Sequence, residues 1–390
     1  MVLKKFYFKE YTDIPNTWEL DTFEFNEKVN LFVGQNATGK TRTINRMLSL
    51  ARMIIGQPIY SLEIIDSANF EILLTDKQNN YIYSLATRHR NIVSEMLSIN
   101  DKMKLKRVKD GTGELYYQEL GKSLPFQVSD NKPVITTRQD SIQHPYLNSL
   151  FKWADGVRFY SFSSSREMGQ RNMLATINPE EFSNGEFNLH ETFRINELFL
   201  RAKKEFGETF EKEVTSSMNK IGYDISNLSV ERNPFTAITD ENVSPLFMLC
   251  VKENDRNAKL YQTGMSQGMF RALSLLIQVI YNVMNKISST ILIDDIGEGL
   301  DFERSTKLIK LLIDLAENNE NIQLIMSTND RFVMNNVPLE YWQVIQRTGG
   351  KCKVYNDFNA KEIFDEFVYT GLNNFDFLAT DFINSREDIE

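Results

Sequence analysis

Residues 34–41 constrain the fold more than any other part of the sequence. They follow an apolar segment, residues 30–33, and precede residues 40–53, whose apolar spacing predicts a helix. The segment carries the pattern Gly34-x-x-x-x-Gly39-Lys40-Thr41. Glycines at this spacing let backbone N–H groups wrap a chain of phosphates at the N-terminus of a helix. The sequence therefore predicts an α/β fold that binds ATP through this loop.

All eight residues of this phosphate-binding loop are candidate nucleotide ligands, namely Gly34, Gln35, Asn36, Ala37, Thr38, Gly39, Lys40 and Thr41. In such loops the lysine reaches the β and γ phosphates, and the hydroxyl beside it holds Mg²⁺. ATP and Mg²⁺ are therefore the cofactors that we expect, with Lys40 and Thr41 in those two roles.

A second segment, residues 290–295, is an apolar strand that ends in two carboxylates, Asp294 and Asp295. Many buried strands end in acidic turns, so this pattern is only moderately specific by itself. Together with a phosphate-binding loop it predicts that Asp294 joins Thr41 at Mg²⁺, and that Asp295 is the base near the attacking water.

A third segment opens a helix with Ser266 and Gly268. The expected helix, residues 266–285, has a buried stripe made of Leu273, Leu276, Ile277, Ile280 and Val283. By itself, Ser266 is equally explained as the N-cap of this helix.

These three segments occur in the order Gly-x-Asn-x-x-Gly-Lys-Thr, Ser-x-Gly-x-x-Arg, and a strand ending in Asp-Asp that is followed by Gly299, Leu300 and Asp301. The combination resembles the ABC-type ATPases of the SMC, RecF and OLD group. It is most similar to the AAA-labelled, ABC-like ATPases of bacterial antiphage defence systems such as Septu and PARIS. The resemblance covers residues 1–55 and 245–350, and it implies a P-loop NTPase of ABC type with a split nucleotide-binding core.

The resemblance also implies that Ser266 and Gly268 of one subunit complete the ATP site that holds Lys40 of another. We therefore expect an ATP-dependent homodimer or a higher homo-oligomer. Asp301 would communicate between the two sites, and it is equally suited to cap the helix that follows it.

Two positions depart from the family pattern. The family usually has Glu where this chain has Asp295, and His where this chain has Asn329. Aspartate is one methylene shorter than glutamate, and an amide cannot change its charge near neutral pH as imidazole can. We therefore expect ATP hydrolysis that is slow or triggered by a partner.

Five segments are expected along the chain. They are the N-terminal half of the ATPase core (1–56), a β-rich insertion (57–160), a helical arm or lid (161–244), the C-terminal half of the core (245–350) and an acidic aromatic segment (351–390). Alternation predicts strands in the insertion at residues 59–65, 70–74, 81–86, 115–119 and 133–137. Helices are expected within 188–220, interrupted at Gly207, and at 302–317. The other expected strands are 2–10, 20–33, 246–251, 290–294, 323–327 and 342–347.

The composition limits the kinds of site, the cellular location and the binding partners that are expected for this chain. Two cysteines and three histidines lie far apart among 390 residues, which gives no support to a disulfide framework or a zinc site. No apolar run approaches the roughly 20 residues of a membrane span, so a cytoplasmic protein is expected. The net charge of −9 disfavours nucleic-acid binding by bulk charge, although residues 88–90 and 102–109 form basic patches that either contact nucleic acid or are simply solvated.

The leading functional hypothesis is an ATP-dependent clamp or sensor that controls a separate effector protein, a nuclease or a toxin, in antiviral defence. About sixty residues follow Asp330, too few for a fused nuclease domain of ordinary size. The aromatic residues of the last segment either dock this partner or fold onto the chain's own core; they are Phe364, Phe367, Tyr369, Phe375, Phe377 and Phe382. The alternatives are a DNA-clamping repair or chromosome-structural ATPase of RecF or SMC type, a transporter ATPase, and a scaffold that binds nucleotide without hydrolysis.

Overall fold

The computed structural model describes residues 1–10, 14, 17–57, 67–162, 188–192, 194–232, 247–255 and 258–387. The expected strand 59–65 lies outside these residues, as do residue 246 and, within the expected arm 161–244, residues 163–187, 193 and 233–244.

In these residues the strands are β1 (Val2–Glu10), β2 (Glu19–Glu24), β3 (Val29–Val33), β4 (Ala68–Thr75), β5 (Asn80–Arg88), β6 (Asn91–Ile99), β7 (Lys102–Arg107), β8 (Thr112–Tyr117), β9 (Lys122–Gln127), β10 (Val157–Ser161), β11 (Ile225–Arg232), β12 (Phe247–Glu253), β13 (Lys259–Tyr261), β14 (Ser289–Asp294), β15 (Ile322–Ser327), β16 (Trp342–Thr348) and β17 (Lys351–Tyr355). The α-helices are α1 (Lys40–Ile55), α2 (Val134–Thr137), α3 (Pro145–Asp155), α4 (Ile195–Phe206), α5 (Glu208–Lys220), α6 (Gln267–Met284), α7 (Phe302–Glu317), α8 (Arg331–Asn336), α9 (Lys361–Tyr369), α10 (Asn374–Ala379) and α11 (Phe382–Glu387).

One large sheet organises the molecule. Its parallel part has the order β10-β14-β15-β3-β16, so the core is assembled from strands that are far apart in the sequence. Beyond β16 the sheet continues through β17, β2 and β1 into the antiparallel strands β4 to β9. The expected α/β class, split core and β-rich insertion are confirmed. The domain boundaries stay predictions, although β10, inside the expected insertion, pairs with β14 of the core.

Helices cover both faces of the parallel strands. Strand β3 is buried along its whole length, with Leu31 and Val33 in one apolar cluster and Phe32 in the other, as the alternation of a strand requires. Helices α1 and α3 share the cluster of Phe32, and α6 and α7 share the opposite one. Within the described residues no helix is both long and apolar enough to cross a lipid bilayer.

A helical subdomain lies against α6. Helices α4 and α5 meet at Gly207, whose φ of 62° is left-handed, so the expected interruption of this helical segment is confirmed. Both helices contribute buried side chains to the α6 face of the sheet, and the small antiparallel sheet β11-β12-β13 lies beside them.

The C-terminal segment packs onto the protein's own core. Phe364, Phe367 and Phe377 are buried, and Phe377 contacts the indole of Trp342 with a centroid separation of 6.2 Å. Phe375 and Phe382 are partly buried against the same cluster, and Tyr369 is 90% exposed. Of the two alternatives for this segment, folding onto the chain's own core is therefore confirmed for the buried members, which stabilise α9 to α11 against the core.

Three local expectations are corrected. The single strand expected at 20–33 is divided into β2 and β3, because the Asn30 side chain accepts a hydrogen bond from Asn26 N and holds a turn between them. Residues 134–137 form the short helix α2 where a strand was expected at 133–137, because the buried Glu95 carboxylate accepts from Val134 N at 2.7 Å. Arg107, expected on a basic patch, is fully buried and bonded to the Ser129 carbonyl at 2.8 Å, so it is not a surface charge.

Candidate functional site

The phosphate-binding loop joins the end of β3 to the start of α1. Gly34 has a φ of 151°, and a Cβ atom there would lie 2.5 Å from the carbonyl oxygen of Ile345 on β16. A side chain at this position would displace the loop from the sheet. Gly39 has a φ of 111° and directly precedes Lys40, the first residue of α1. The two glycines therefore bring the loop close to the sheet and lead it into the N-terminus of a helix, where anions bind.

The side chain of Lys40 lies inside this loop. It is 6% exposed, and its Nζ atom donates to the carbonyl oxygens of Gly34 at 2.8 Å and Gln35 at 3.1 Å. Burial lowers the pKa of Lys40, and the nearby carboxylates of Asp295 and Asp294 oppose that shift. The ammonium group is therefore held at the place where the loop would surround a phosphate.

Asp294 is the last residue of β14, and its side chain is bonded to Thr41 in the first turn of α1. One carboxylate oxygen, Oδ1, accepts hydrogen bonds from the Thr41 hydroxyl at 3.0 Å and from the Ser327 hydroxyl at 2.6 Å. Burial raises the pKa of Asp294, and the neighbouring charge of Asp295 adds to that shift. The hydroxyl and the carboxylate are hard oxygen donors of the kind that Mg²⁺ prefers, so these two residues fit the metal expected from the sequence.

Asp295 lies beside this pair in an unusual backbone conformation. Its φ of 54° is left-handed, a region that aspartate and asparagine adopt more readily than most residues. The backbone N–H of Asp295 donates to Ser327 Oγ at 3.0 Å, and its side chain accepts from Asn329 Nδ2 at 3.1 Å. Burial raises the pKa of Asp295, and Lys40 opposes that shift. The structure therefore places Asp295 beside Asn329. The catalytic roles of these two residues stay predictions.

The segment with Ser266 and Gly268 packs against the loop that follows β14. A Cβ atom at Gly268 would lie 2.4 Å from the carbonyl oxygen of Gly299, so the two chains touch. Ser266 is exposed, and its hydroxyl caps α6 by accepting from Met269 N at 3.2 Å. Asp301 likewise caps α7 by accepting from Arg304 N at 3.0 Å. Both capping interpretations are confirmed, and the further roles of Ser266, Gly268 and Asp301 stay predictions.

The candidate residues thus fall into two groups. Lys40, Thr41, Asp294, Asp295 and Asn329 form one cluster at the carboxyl edge of the parallel strands. Ser266, Gly268 and Asp301 form another group beside the loop after β14. Among the hydrogen bonds of the described residues, none joins Ser266 or Gly268 to the phosphate-binding loop.

A cleft of about 340 Å³ opens beside the loop and contains residues that the motifs did not identify. These residues are Trp18, Arg42, Asn45 and Arg347. Arg42 and Asn45 follow Lys40 on α1, so their spacing from the motif was an available signal. Trp18 and Arg347 come from distant segments, and Arg347 reaches the loop by donating to the Ala37 carbonyl at 3.2 Å. No pattern in the sequence connects those two residues to the loop.

The wall of the cleft is held by an aromatic and ionic group. Trp18 is buried against Gly39, and the Arg42 guanidinium lies 5.0 Å from the centroid of its ring. Arg42 and Arg46 both form ion pairs with Glu10 of β1, the second at 2.9 Å. Strand β1 therefore fixes the first turns of α1, and with them the orientation of Lys40 and Thr41.

Solved structures share this architecture. One is the SmcHead bound to the C-winged helix domain of ScpA, which is 13% identical with a TM-score of 0.54, over 91% of this chain and 97% of that chain. Another is the Smc head domain with an extended coiled coil bound to the C-terminal domain of ScpA derived from Pyrococcus furiosus, which is 12% identical with a TM-score of 0.53, over 94% and 99%. The chain has the fold of an SMC head domain. No family model and no curated protein matches the sequence.

The SMC-head fold confirms the expected ABC-type architecture, because its match extends over nearly the whole chain at 13% identity. At that identity the match concerns the fold.

One consequence for stability follows from Asp294. Because its pKa is raised, the ionised side chain destabilises the nucleotide-free SMC-head fold at neutral pH. We expect Asp294→Asn to raise the free energy of unfolding by about 1 kcal/mol at pH 7, since asparagine still accepts from Thr41 and Ser327. Below the usual aspartate pKa of about 3.9 both states are protonated, so the gain should shrink as the pH falls towards that value.

Urea unfolding at pH 7 and pH 5, without nucleotide or Mg²⁺, measures this difference. Asp21→Asn removes an exposed carboxylate and should change the free energy of unfolding little at either pH. A loss of stability in Asp294→Asn at pH 7 would show that the ionised carboxylate is favourable where it lies.

Proposed function

We propose that this protein is an ABC-type ATPase that binds ATP with Mg²⁺, hydrolyses it slowly, and assembles through composite sites. In this proposal the assembly controls a separate effector, a nuclease or a toxin, in antiviral defence. The observation that carries the ATPase assignment is one continuous chain of hydrogen bonds. It runs from Thr41 through Asp294 and Ser327 to Asp295 and Asn329.

This chain of bonds couples three segments that a phosphoryl-transfer site needs to hold together. Thr41 lies in the first turn of α1, Asp294 ends β14 and is followed by Asp295, and Ser327 ends β15. A loop that moved with bound phosphate would therefore move the carboxylates as well. Preorganised polar groups of this kind act without reorganising during the reaction.

Each residue has a role that its position permits. Backbone N–H groups of residues 34–41 and the ammonium of Lys40 bind the β and γ phosphates of ATP. Thr41 and Asp294 would hold Mg²⁺, which supplies positive charge to the phosphate oxygens when it is bound. Asp295 orients a water molecule and accepts its proton, and the raised pKa of Asp295 suits a general base.

Slow turnover is proposed from the geometry around Asp295. Its carboxylate is bonded to Asn329 at 3.1 Å and is one methylene shorter than the glutamate of related sites. The amide occupies Oδ1, which leaves fewer lone pairs of this short side chain to contact a water molecule at a γ phosphate. A partner that displaced Asn329 would accelerate this step, so hydrolysis is slow in the protein alone.

Composite sites are proposed because Ser266 is exposed and caps a helix without contacting the chain's own phosphate-binding loop. A helix N-terminus with a hydroxyl is suited to a phosphate of another subunit. Gly268 permits the close approach to Gly299, which places Asp301 next to the same surface. The proposed assembly is a homodimer or a higher homo-oligomer.

The effector is proposed from the resemblance to Septu-like and PARIS-like ATPases. The solved SMC heads named above were each bound to a domain of ScpA, so a head of this fold can carry a separate protein. The second candidate is a DNA-clamping ATPase of RecF or SMC type, which the fold match favours equally. The net charge of −9 and the burial of Arg107 weigh against direct DNA binding.

Mutation of Ser266 tests the composite site. We expect ATP with Mg²⁺ to double the mass of the purified chain in sedimentation velocity experiments, and Ser266→Arg to prevent it. At a protein concentration too low for assembly, affinity for a fluorescent ATP analogue should stay within about twofold, because Ser266 makes no hydrogen bond to the chain's own loop. Ser266→Asn keeps the cap, and Ser141→Arg adds the same charge at a distant exposed serine. Unchanged assembly of Ser266→Arg would refute the composite site.

Co-purification with the products of neighbouring genes, with and without ATP, tests the effector. A nuclease or toxin in stoichiometric complex supports the leading proposal. ATP-dependent, salt-sensitive DNA binding by the chain alone, with no such partner, supports the DNA clamp in its place.

A further inference from the structure

Two aromatic side chains, one exposed and one partly buried, form a pair next to the candidate site. Phe302, the first residue of α7, is 57% exposed, and its ring lies 4.8 Å from that of Phe332 on α8 in an edge-to-face arrangement. The guanidinium of Arg331 lies 4.8 Å from the centroid of Phe332. Aromatic residues and arginine are the side chains most enriched at the energetic centres of protein interfaces.

The pair is rigidly connected to the loops that hold Asp295 and Asn329. Asp330 follows Asn329 directly, and its carboxylate accepts from Phe332 N at 2.6 Å. The Thr328 hydroxyl donates to the carbonyl oxygen of Ile296 at 2.9 Å, so the loops after β14 and β15 are bonded to each other. A group that pressed on the aromatic pair would therefore act on the two loops that position the proposed base and its amide partner.

The charges around the pair are balanced. Four basic side chains and four acidic ones come from the segments around it, namely Arg271, Arg304, Lys307, Arg331, Glu298, Asp301, Glu303 and Asp330. Arg304 and Asp301 form an ion pair within the chain, and Arg271 donates to the carbonyl oxygen of Glu298 at 3.1 Å. A surface that meets its own copy across a two-fold axis has to complement itself, and an apolar centre with mixed charges does so. A strongly basic or strongly acidic partner would meet like charges here.

We infer that Phe302 and Phe332 anchor the contact between two copies of this chain, and that this contact transmits assembly to Asp295 and Asn329. The inference rests on the proposed function, because it requires that ATP drives self-association. It adds the residues that carry the association. The positions of Phe302 and Phe332 also explain how docking of the second copy affects the loops of the nucleotide site.

Substitution of Phe302 tests the inference in the Asp295→Asn background, where slow hydrolysis should not dissolve the assembly. With ATP and Mg²⁺, we expect Phe302→Asp to raise the dissociation constant of the dimer by about tenfold or more, and Phe302→Ala to have a smaller effect. Phe358→Asp is the matched control, because Phe358 is a 50% exposed phenylalanine in the loop after β17. Sedimentation velocity measures the association, and a fluorescent ATP analogue measures nucleotide affinity.

The outcomes separate this inference from the function on which it rests. Weaker association of Phe302→Asp supports the aromatic anchor if the monomer's ATP affinity, measured at a concentration too low for assembly, is unchanged and the Phe358→Asp control is unaffected. If the parent assembles with ATP and Phe302→Asp assembles equally well, the anchor is refuted and the composite site stands. If the parent binds ATP and stays monomeric, both the proposed assembly and the aromatic anchor are refuted. Phe302→Ala provides the same comparison if the aspartate variant does not fold.

Discussion

Lys40→Ala should lower the affinity for ATP by roughly 100-fold or more, because a charge-assisted contact to phosphate is lost inside a desolvated loop. Lys40 is 6% exposed, and its Nζ atom lies within 3.1 Å of two loop carbonyls, which leaves the ammonium at the centre of the phosphate-binding loop. Titration calorimetry with ATP and Mg²⁺ measures the affinity. A change of this size corresponds to about 2.7 kcal/mol of binding free energy.

Two further variants make the Lys40 result specific. Lys40→Arg keeps the charge, but its planar and larger head group does not fit between the carbonyls of Gly34 and Gln35, so binding should still be weak. Lys212→Ala removes an exposed lysine on α5 that is paired with Glu208, and it should bind ATP as the parent does. ATP binding by Lys40→Ala at parental affinity would mean that residues 34–41 are a structural turn and no nucleotide site.

The parts of the molecule that the sequence predicted well are those whose signals are local. Helix α7 was expected at residues 302–317 and has those bounds, because its apolar period begins after a capping aspartate and ends before Asn318. The phosphate-binding loop is equally local, since two glycines, a lysine and the adjoining helix are contiguous. Asp295 and Asn329 were both expected at the nucleotide site, and they lie together because β14 and β15 are adjacent parallel strands whose carboxyl ends meet at the same edge of the sheet. The hydrogen bond between them was not predicted from the sequence.

The parts that were missed depend on contacts between distant segments. Arg107 looked like a surface charge within a basic run, yet the buried Glu95 lies 3.7 Å from it and the loop at 129–132 surrounds its guanidinium. The same Glu95 accepts backbone hydrogen bonds that make residues 134–137 a helix. Trp18 lies at the cleft because β1 pairs with β2, and no local pattern in the sequence specifies that pairing. Tertiary contacts of this kind override local propensity.

Asp295→Asn should lower the rate of ATP hydrolysis by roughly 100-fold or more while leaving ATP binding and ATP-dependent assembly intact. The substitution removes the proton acceptor and little else. Asparagine is nearly the same size and also adopts the left-handed backbone, so the φ of 54° at this position adds no strain. Single-turnover hydrolysis measures the rate, and sedimentation velocity with ATP measures the assembly, which should persist longer than that of the parent.

Asp101→Asn is the matched control for this variant, because Asp101 also has a left-handed φ, 63°, in the turn between β6 and β7, away from the nucleotide site. It should hydrolyse ATP at the parental rate. Asp295→Glu tests whether the short reach of Asp295 limits the rate of hydrolysis. A side chain longer by one methylene should reach past Asn329 and raise the rate above that of the parent. Glutamate fits the left-handed backbone less well than aspartate does, which opposes this gain. An unchanged rate in Asp295→Asn would assign the base to another residue. A lower rate in Asp295→Glu would show that the reach of Asp295 does not limit turnover. The slow hydrolysis of the parent would then have to arise from assembly.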